Sequence, residues 1–169
     1  MTPAWADLLR NPEKLSGLYE QPADLDPLVL HSVHLDRRGP TVTLRLSTTR
    51  LPEQPPAEWS AAGCDHVEFH LQFLAVAELS LTPARFPAPV GFRFTEPEPD
   101  RIRVRLRGAE LDLAFAAHRS VTIGRLSAWS AATAPAPGEQ PVHHYLSPLD
   151  RRLHTTPPPT WKKNYYGRI

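Results

Sequence analysis

The stretch His66-Val67-Glu68-Phe69-His70-Leu71-Gln72-Phe73 alternates polar and apolar residues over its whole length. Successive side chains of a β-strand point to opposite faces, so the apolar residues share one face and the polar residues share the other. This pattern is typical of an antiparallel strand with one face in the core and one face in water. The predicted wet face presents three candidate partner-binding residues, which are His66, Glu68 and His70.

Similar patterns before and after this strand predict a larger sheet. Residues 28–36 and 41–47 form a predicted hairpin around the turn at 37–40, with further strands at 65–74, 79–81, 90–94, 101–107, 111–115 and 121–129. In the first strand we expect Val29, Val33 and Leu35 in the core, with a bulge near Leu30 where the alternation breaks.

The first 20 residues predict two short helices that cannot be stable alone and must dock on the sheet. Thr2 can cap the first helix with Pro3 at its first position, and Asn11-Pro12 repeats this start signal. Each helix carries an apolar stripe for docking, formed by Trp5, Leu8 and Leu9 in the first and by Leu15, Leu18 and Tyr19 in the second.

The last 40 residues differ in composition from the rest of the chain. They hold seven of its 20 prolines and five of its basic residues against two acidic ones, with no amphipathic period. The prediction is a β-sheet domain over 1–129 and a proline-rich, basic and aromatic tail over 130–169 that is extended or partly disordered. The fold class is therefore α+β and mainly β, with a twisted, mostly antiparallel sheet of about six to eight strands.

The strand at 101–107 alternates arginine with isoleucine, valine and leucine. Four arginines fall on one face at spacings of roughly 6 to 7 Å, and Arg93 can join them from a neighbouring strand. One interpretation is a cationic surface that binds an acidic protein or a phosphate backbone. The alternative is a solvated face whose charges pair across strands with Asp112 or Glu110. The candidate partner-binding residues here are Arg93, Arg101, Arg103, Arg105 and Arg107.

The sequence predicts no catalytic, metal or cofactor site. His66 and His70 would lie about 13 Å apart along one strand, too far to share an ion. The sequence contains no GxSxG, GxGxxG or GxxxxGK[ST] motif. Its acidic pairs lie in proline-flanked loops rather than in an apolar pocket that would raise a pKa.

Charge and composition narrow the class of partner and compartment. The net charge of +1 argues against a general nucleic-acid-binding function. The single cysteine, Cys64, excludes an internal disulfide and is typical of a reducing cytoplasm. No apolar run is long enough to span a bilayer, and residues 1–7 show no sign of a secretion signal. We expect a cytoplasmic protein that is monomeric without its partner.

Several of these residues together resemble the immunity protein 50 family, small bacterial proteins of polymorphic toxin systems. The resemblance covers roughly residues 4 to 129. The chain departs from the family pattern at Thr82–Phe86, where relatives often carry Gly-Trp. The most specific part of the resemblance is the Leu35-Asp36-Arg37-Arg38-Gly39-Pro40 hairpin with the upstream Trp5 and Leu18-Tyr19, and it continues through the prolines at 52–56, Trp59 and the 67–73 strand.

The resemblance implies an antidote that binds the C-terminal domain of a cognate toxin and blocks it by occlusion. Such a protein needs a stiff surface with suitable shape and charge, and no catalytic group. Two alternatives stay open on the sequence. One is a nucleic-acid-binding module that uses the arginines and the aromatic tail, and the other is a small enzyme with an unrecognised site.

Overall fold

The computed structural model describes residues 5–21, 25–36, 38–133 and 141–153. Within them, nine strands form one antiparallel sheet in the order β4-β7-β6-β5-β1-β2-β3-β8-β9. The mainly β fold is thus confirmed, with a strand count slightly above the predicted six to eight. The strands are β1 Leu28–Asp36, β2 Thr41–Thr48, β3 His66–Phe73, β4 Ala77–Leu81, β5 Ala88–Glu98, β6 Arg101–Arg107, β7 Asp112–His118, β8 Val121–Trp129 and β9 His144–Tyr145.

The sheet curls until its two halves face each other across the core. Phe73 of β3 and Phe115 of β7 are separated by four strands in the sheet order, yet their ring centroids lie 5.1 Å apart. In a flat sheet, strands so placed would be about 24 Å apart. Within the described residues, strand pairing between the halves is confined to residues 28–30 of β1 and residues 88–90 of β5. Apolar side chains from both halves fill the space between them.

The N-terminal segments dock on this core as predicted. Trp5–Leu8 forms a 3-10 helix and Glu13–Ser16 forms α1. The Trp5 ring stacks on Phe69 at a centroid distance of 5.7 Å. All residues of the two predicted stripes are buried, namely Trp5, Leu8, Leu9, Leu15, Leu18 and Tyr19. The predicted cap at Thr2 and Pro3 lies outside the described residues.

A bulge in β1 decides which of its residues enter the core. The pairing with β2 shifts between Leu30 and Ser32, as the broken alternation predicts. Leu28 and Leu30 are therefore buried in the core, and Val33, after the extra residue, packs against the same core. The prediction was wrong for Val29, which is half-buried opposite Ser47 on the other face.

The predicted wet face of β3 is largely buried. The apolar residues on the opposite face of β3 are 0–1% exposed, as expected. On the predicted wet face, however, Glu68 is only 1% exposed and His70 only 5%. Gln72 alone of the four polar residues is exposed. The prediction failed because polar side chains of neighbouring strands, and His143 from the chain before β9, pack against this face. Alternation predicts which side chains share a face, but it does not reveal a polar cover.

Residues beyond 129 contribute to the fold. Ala131–Thr133 is a 3-10 turn, β9 pairs with β8, and Pro148–Leu153 forms α3. Tyr145 of β9 is 1% exposed. The connection between β2 and β3 contains α2, Ala57–Ala61, whose Trp59 is also buried. The division of the chain at 129/130 remains a prediction, and residues 154–169 lie outside the described part.

Candidate functional site

The outer surface of β5, β6 and β7 carries the predicted arginine residues. On β6, Ile102, Val104 and Leu106 are fully buried, so the alternating arginines point away from the core. Side-chain exposure reaches 51% for Arg103 and Arg105 and 70% for Arg107. We call this surface the arginine face, and define it as Arg93, Arg101, Arg103, Arg105 and Arg107 with the acidic residues Glu78 and Asp112.

Two acidic side chains neutralise part of the arginine face. Arg105 donates hydrogen bonds to both carboxylate oxygens of Asp112, one of them at 2.9 Å from Nε. This pairing lowers the pKa of Asp112 and raises that of Arg105. Arg107 lies farther from Asp112, at 4.0 Å, and Arg103 pairs with Glu78. Asp112 is one of the two partners predicted from the sequence. Glu78 was not predicted, because β4 is distant from β6 in the sequence and its pairing with β7 is long-range.

The arginine face keeps a positive surplus after these pairings. Its five arginines outnumber Glu78 and Asp112 by three, and Glu98, which lies opposite Arg101 in the β5–β6 pairing, reduces this surplus to two. Arg101 donates a hydrogen bond to the backbone oxygen of Ala75 at 2.8 Å, which fixes its position without neutralising it. Arg93 forms no ion pair within the described part of the chain and lies directly opposite Arg105. The surface can therefore attract an acidic partner.

Glu68 of β3 is the centre of a second, buried group of polar residues. The carboxylate accepts hydrogen bonds from Arg45 of β2, at 3.0 Å from Nε and 3.1 Å from Nη2. The side chain of Arg45 is only 12% exposed. Burial raises the pKa of Glu68, while the positive charge of Arg45 opposes that rise. A buried carboxylate is stable here because a bidentate guanidinium compensates it.

Two serine–histidine pairs flank this ion pair, one on each side. His31 Nε2 and Ser47 Oγ lie 2.7 Å apart, and His143 Nδ1 and Ser127 Oγ lie 2.8 Å apart. Both rings are within 4 Å of the Glu68 carboxylate, at 3.9 and 3.8 Å. Burial, then the positive charge of Arg45, lowers the pKa of His31 to about 4 and that of His143 to about 3. Both rings are therefore neutral at pH 7.

Strand register assembles this cluster from distant parts of the chain. Ser47 of β2 lies opposite Glu68 of β3. On the other side of β3, Glu68 lies opposite Ser127 of β8, and Ser127 in turn lies opposite Tyr145 of β9. Of its members, only Glu68 was predicted from the sequence as a contact residue. Since no residue of one strand indicates which strand will lie beside it, no sequence pattern pointed to the others. We call the group the polar cluster; its members are His31, Arg45, Ser47, Glu68, Ser127 and His143.

The remaining predicted contact residue, His66, lies at the start of β3. Its ring stacks on Trp129 at 3.9 Å, and its Nδ1 is 2.6 Å from Asp65 Oδ1. The side chain is 23% exposed. The three predicted residues of β3 are thus separated from the arginine face by β1 and β2 in the sheet order. The structure does not bring the two predicted groups together.

Shallow clefts lie away from the polar cluster. One, of about 310 Å³, is lined by residues of the N-terminal segment and of the turns at 100 and 118–120. Another, of about 270 Å³, borders Arg107 and Asp112 at the β6–β7 turn. Within the described ranges, no three His, Cys, Asp or Glu side chains are grouped to hold a metal ion. No helix in the same ranges has the length and apolar character needed to cross a membrane.

Comparison with known families defines the class of protein. The family model described as immunity protein 50 matches residues 11–118, more than half of the chain. The chain belongs to the immunity protein 50 family. Membership in this family implies toxin neutralisation and a cognate toxin as partner, in a class whose members are typically non-enzymatic inhibitors. No curated protein and no solved structure matches the chain.

Proposed function

We propose that this protein binds the C-terminal domain of a cognate toxin inside the producing cell and inhibits it by covering its active site. The arginine face is the proposed centre of the contact surface. Family membership supports the general role, and the exposed surplus charge supports the location. The arginine face also lies entirely within the matched residues 11–118.

The rigidity of the arginine face suits recognition by a preformed surface. Its arginines stand on β5 and β6, which pair with each other, and β6 also pairs with β7 along its whole length. Buried residues of these strands lie beneath the arginines. Arg105 is further fixed by its bidentate contact with Asp112. Preorganised side chains lose less conformational entropy on binding, so more of the contact energy is available for affinity.

The alternative function, a small enzyme, would have to use the polar cluster, because this cluster holds residue types used in catalysis. Glu68 is 1% exposed, however, and the side chain of His143 is completely buried. A substrate cannot reach these atoms while the chain before β9 stays in place. We therefore assign the polar cluster a structural role and the arginine face the role of binding.

The test is binding of the full chain to the C-terminal domain of the toxin encoded beside it, by calorimetry, together with rescue of cells that express this toxin domain. We expect a specific complex, inhibition of the toxin's activity and survival of the cells. The triple variant Arg103→Gln/Arg105→Gln/Arg107→Gln should bind at least about tenfold more weakly. Neither binding nor rescue by the unaltered chain would refute the proposed function.

A matched control removes the same charge from other exposed positions. Arg38, Arg85 and Arg152 are exposed and lie outside the arginine face. The variant Arg38→Gln/Arg85→Gln/Arg152→Gln should bind the toxin domain within about twofold of the unaltered chain. Equal weakening by both triple variants would mean that overall charge, and not the arginine face, drives binding.

A further inference from the structure

Two arginines of the arginine face lie beside a position that has no side chain. In the pairing of β5 with β6, Gly91 lies opposite Arg107 and Arg93 lies opposite Arg105. Gly91 and Arg93 are two residues apart on one strand, so they share the outer face with the β6 arginines. Arg93 and Arg107 are therefore diagonal neighbours, with backbones about 7 to 8 Å apart and the surface above Gly91 between them.

The acidic residues of the face compensate these two arginines less closely than they compensate Arg103 and Arg105. Asp112 contacts Arg105 through both oxygens, whereas its distance to Arg107 is 4.0 Å. Arg107 is also 70% exposed. Arg93 is exposed and has no acidic partner among the described residues. Like charges directly opposite each other, as Arg93 and Arg105 are, destabilise a sheet, and a bound anion would relieve that repulsion.

The position above Gly91 is open. A Cβ added there would have the backbone oxygen of Arg107 as its nearest neighbour, at 3.9 Å, which is an ordinary contact. Both arginine side chains are long enough to converge on one group above the glycine. A carboxylate has two oxygens and can accept hydrogen bonds from two guanidinium groups at once.

We propose that Arg93 and Arg107, on either side of Gly91, form an anion site that takes one aspartate or glutamate side chain of the toxin. This inference rests on the proposed function, since it names the chemistry of the group that the arginine face recognises. An acidic protein suits the site better than a nucleic acid. The carboxylates of Asp112 and Glu78 stand on the same surface and would repel a continuous phosphate backbone.

Two pairs of variants test the site. Arg93→Gln/Arg107→Gln removes it, and Gly91→Glu fills it with a carboxylate of the protein's own. Each should weaken binding to the toxin domain at least about tenfold. The control Arg38→Gln/Arg152→Gln should remain within about twofold of the unaltered chain, because its charges lie outside the arginine face. Gly91→Gln should weaken binding less than Gly91→Glu, because the glutamine occupies the same space without the charge. Thermal unfolding of each variant checks that it is folded.

A second measurement does not need the toxin. NMR of the arginine Nε–Hε groups in the full chain is followed during titration with a glutamate-rich peptide at physiological salt. The largest shifts should occur at Arg93 and Arg107, and Gly91→Glu should abolish them. A duplex oligonucleotide that shifts the same signals when the peptide does not would overturn the assignment to a carboxylate.

The outcomes separate the inference from the proposed function. If the unaltered chain binds the toxin domain but Arg93→Gln/Arg107→Gln binds equally well, the anion site is refuted and toxin binding stands. If the unaltered chain does not bind the toxin domain, the proposed function is refuted. Peptide titration that leaves Arg93 and Arg107 unshifted counts against the anion site in either case.

Discussion

Arg45 donates two hydrogen bonds to the buried carboxylate of Glu68, at 3.0 and 3.1 Å, across the pair β2–β3. Both side chains belong to a sheet face that alternation alone predicts to be in water. Removing one partner from such a buried pair leaves an uncompensated charge, whereas removing both does not. The interaction is therefore expected to be strongly coupled.

A double-mutant cycle measures this coupling. Glu68→Leu and Arg45→Met should each lower the free energy of unfolding by about 3 to 5 kcal/mol. The double variant should be more stable than either single one, because no charge is left alone in the cluster. Denaturant unfolding at pH 7 gives all four values. If the losses of unfolding free energy in the two single variants add up in the double variant, Arg45 and Glu68 do not form a coupled buried pair.

An exposed ion pair in the same protein serves as the control. Arg119 and Glu96 lie 2.7 Å apart, but their side chains are 48% and 32% exposed. Alanine at either position should cost no more than about 1 kcal/mol, because water screens the pair. The contrast isolates the effect of burial.

Stability should fall as the pH falls through the range below 6.5, because of the neutral histidines of the polar cluster. The pKa of His31 is lowered to about 4 and that of His143 to about 3, against about 6.5 in the unfolded chain. Between these values the unfolded state binds protons that the folded state does not. The contribution of the two neutral histidines to the free energy of unfolding is therefore complete above pH 6.5. It is lost progressively as the pH falls toward 4.

The two histidines together contribute a loss of at most about 4 kcal/mol between pH 7 and pH 5. The raised pKa of Glu68 acts in the opposite sense, because the folded state then takes up a proton more readily than the unfolded chain. Unfolding free energies at pH 7 and pH 5 should differ less in His31→Gln/His143→Gln than in the unaltered chain. If the free energy of unfolding changes equally between pH 7 and pH 5 in both proteins, the rings of His31 and His143 are not buried in the neutral form.

Asn11 protects the edge of β8, and its loss should destabilise the sheet. Its side-chain amide donates to the Ile123 oxygen at 2.7 Å and accepts from the Ile123 N–H at 3.1 Å, as a neighbouring strand would. Asn11→Ala should cost about 1 to 3 kcal/mol, because two backbone groups lose their partners. Hydrogen exchange of the Ile123 amide should accelerate.

The exposed Lys14 of α1 supplies the comparison for Asn11. Lys14→Ala lies in the same N-terminal segment and should change stability by less than about 0.5 kcal/mol. If Asn11→Ala is equally neutral and the Ile123 amide keeps its protection, the edge does not depend on this side chain.

The sequence predicts elements better than it predicts their neighbours. Alternation in β2, β6 and β7 identifies the buried side chains, such as Val104 and Leu44, because burial of one face requires a period of two. It could not place Glu78 beside Arg103 or His143 beside Glu68, since both contacts join distant segments. β9 has only two residues and no pattern of its own, so it is defined by its pairing with β8.

Gly108 lies against the short junction between the two halves of the sheet. A Cβ added at this residue would lie 2.4 Å from the backbone oxygen of Pro89, a distance that forces the backbones apart. Pro89 belongs to the three residues of β5 that pair with β1 and join the halves. Gly108→Ala should therefore cost about 1 to 3 kcal/mol or more and loosen this junction.

Gly39 provides a matched test of this prediction. A Cβ there meets nothing within 4 Å, so Gly39→Ala should change stability by less than about 0.5 kcal/mol. Hydrogen exchange should show faster opening at the amides of residues 28–30 in Gly108→Ala but not in Gly39→Ala. Equal stability of the two variants would mean that the sheet halves do not rely on the close approach of Gly108 to β5.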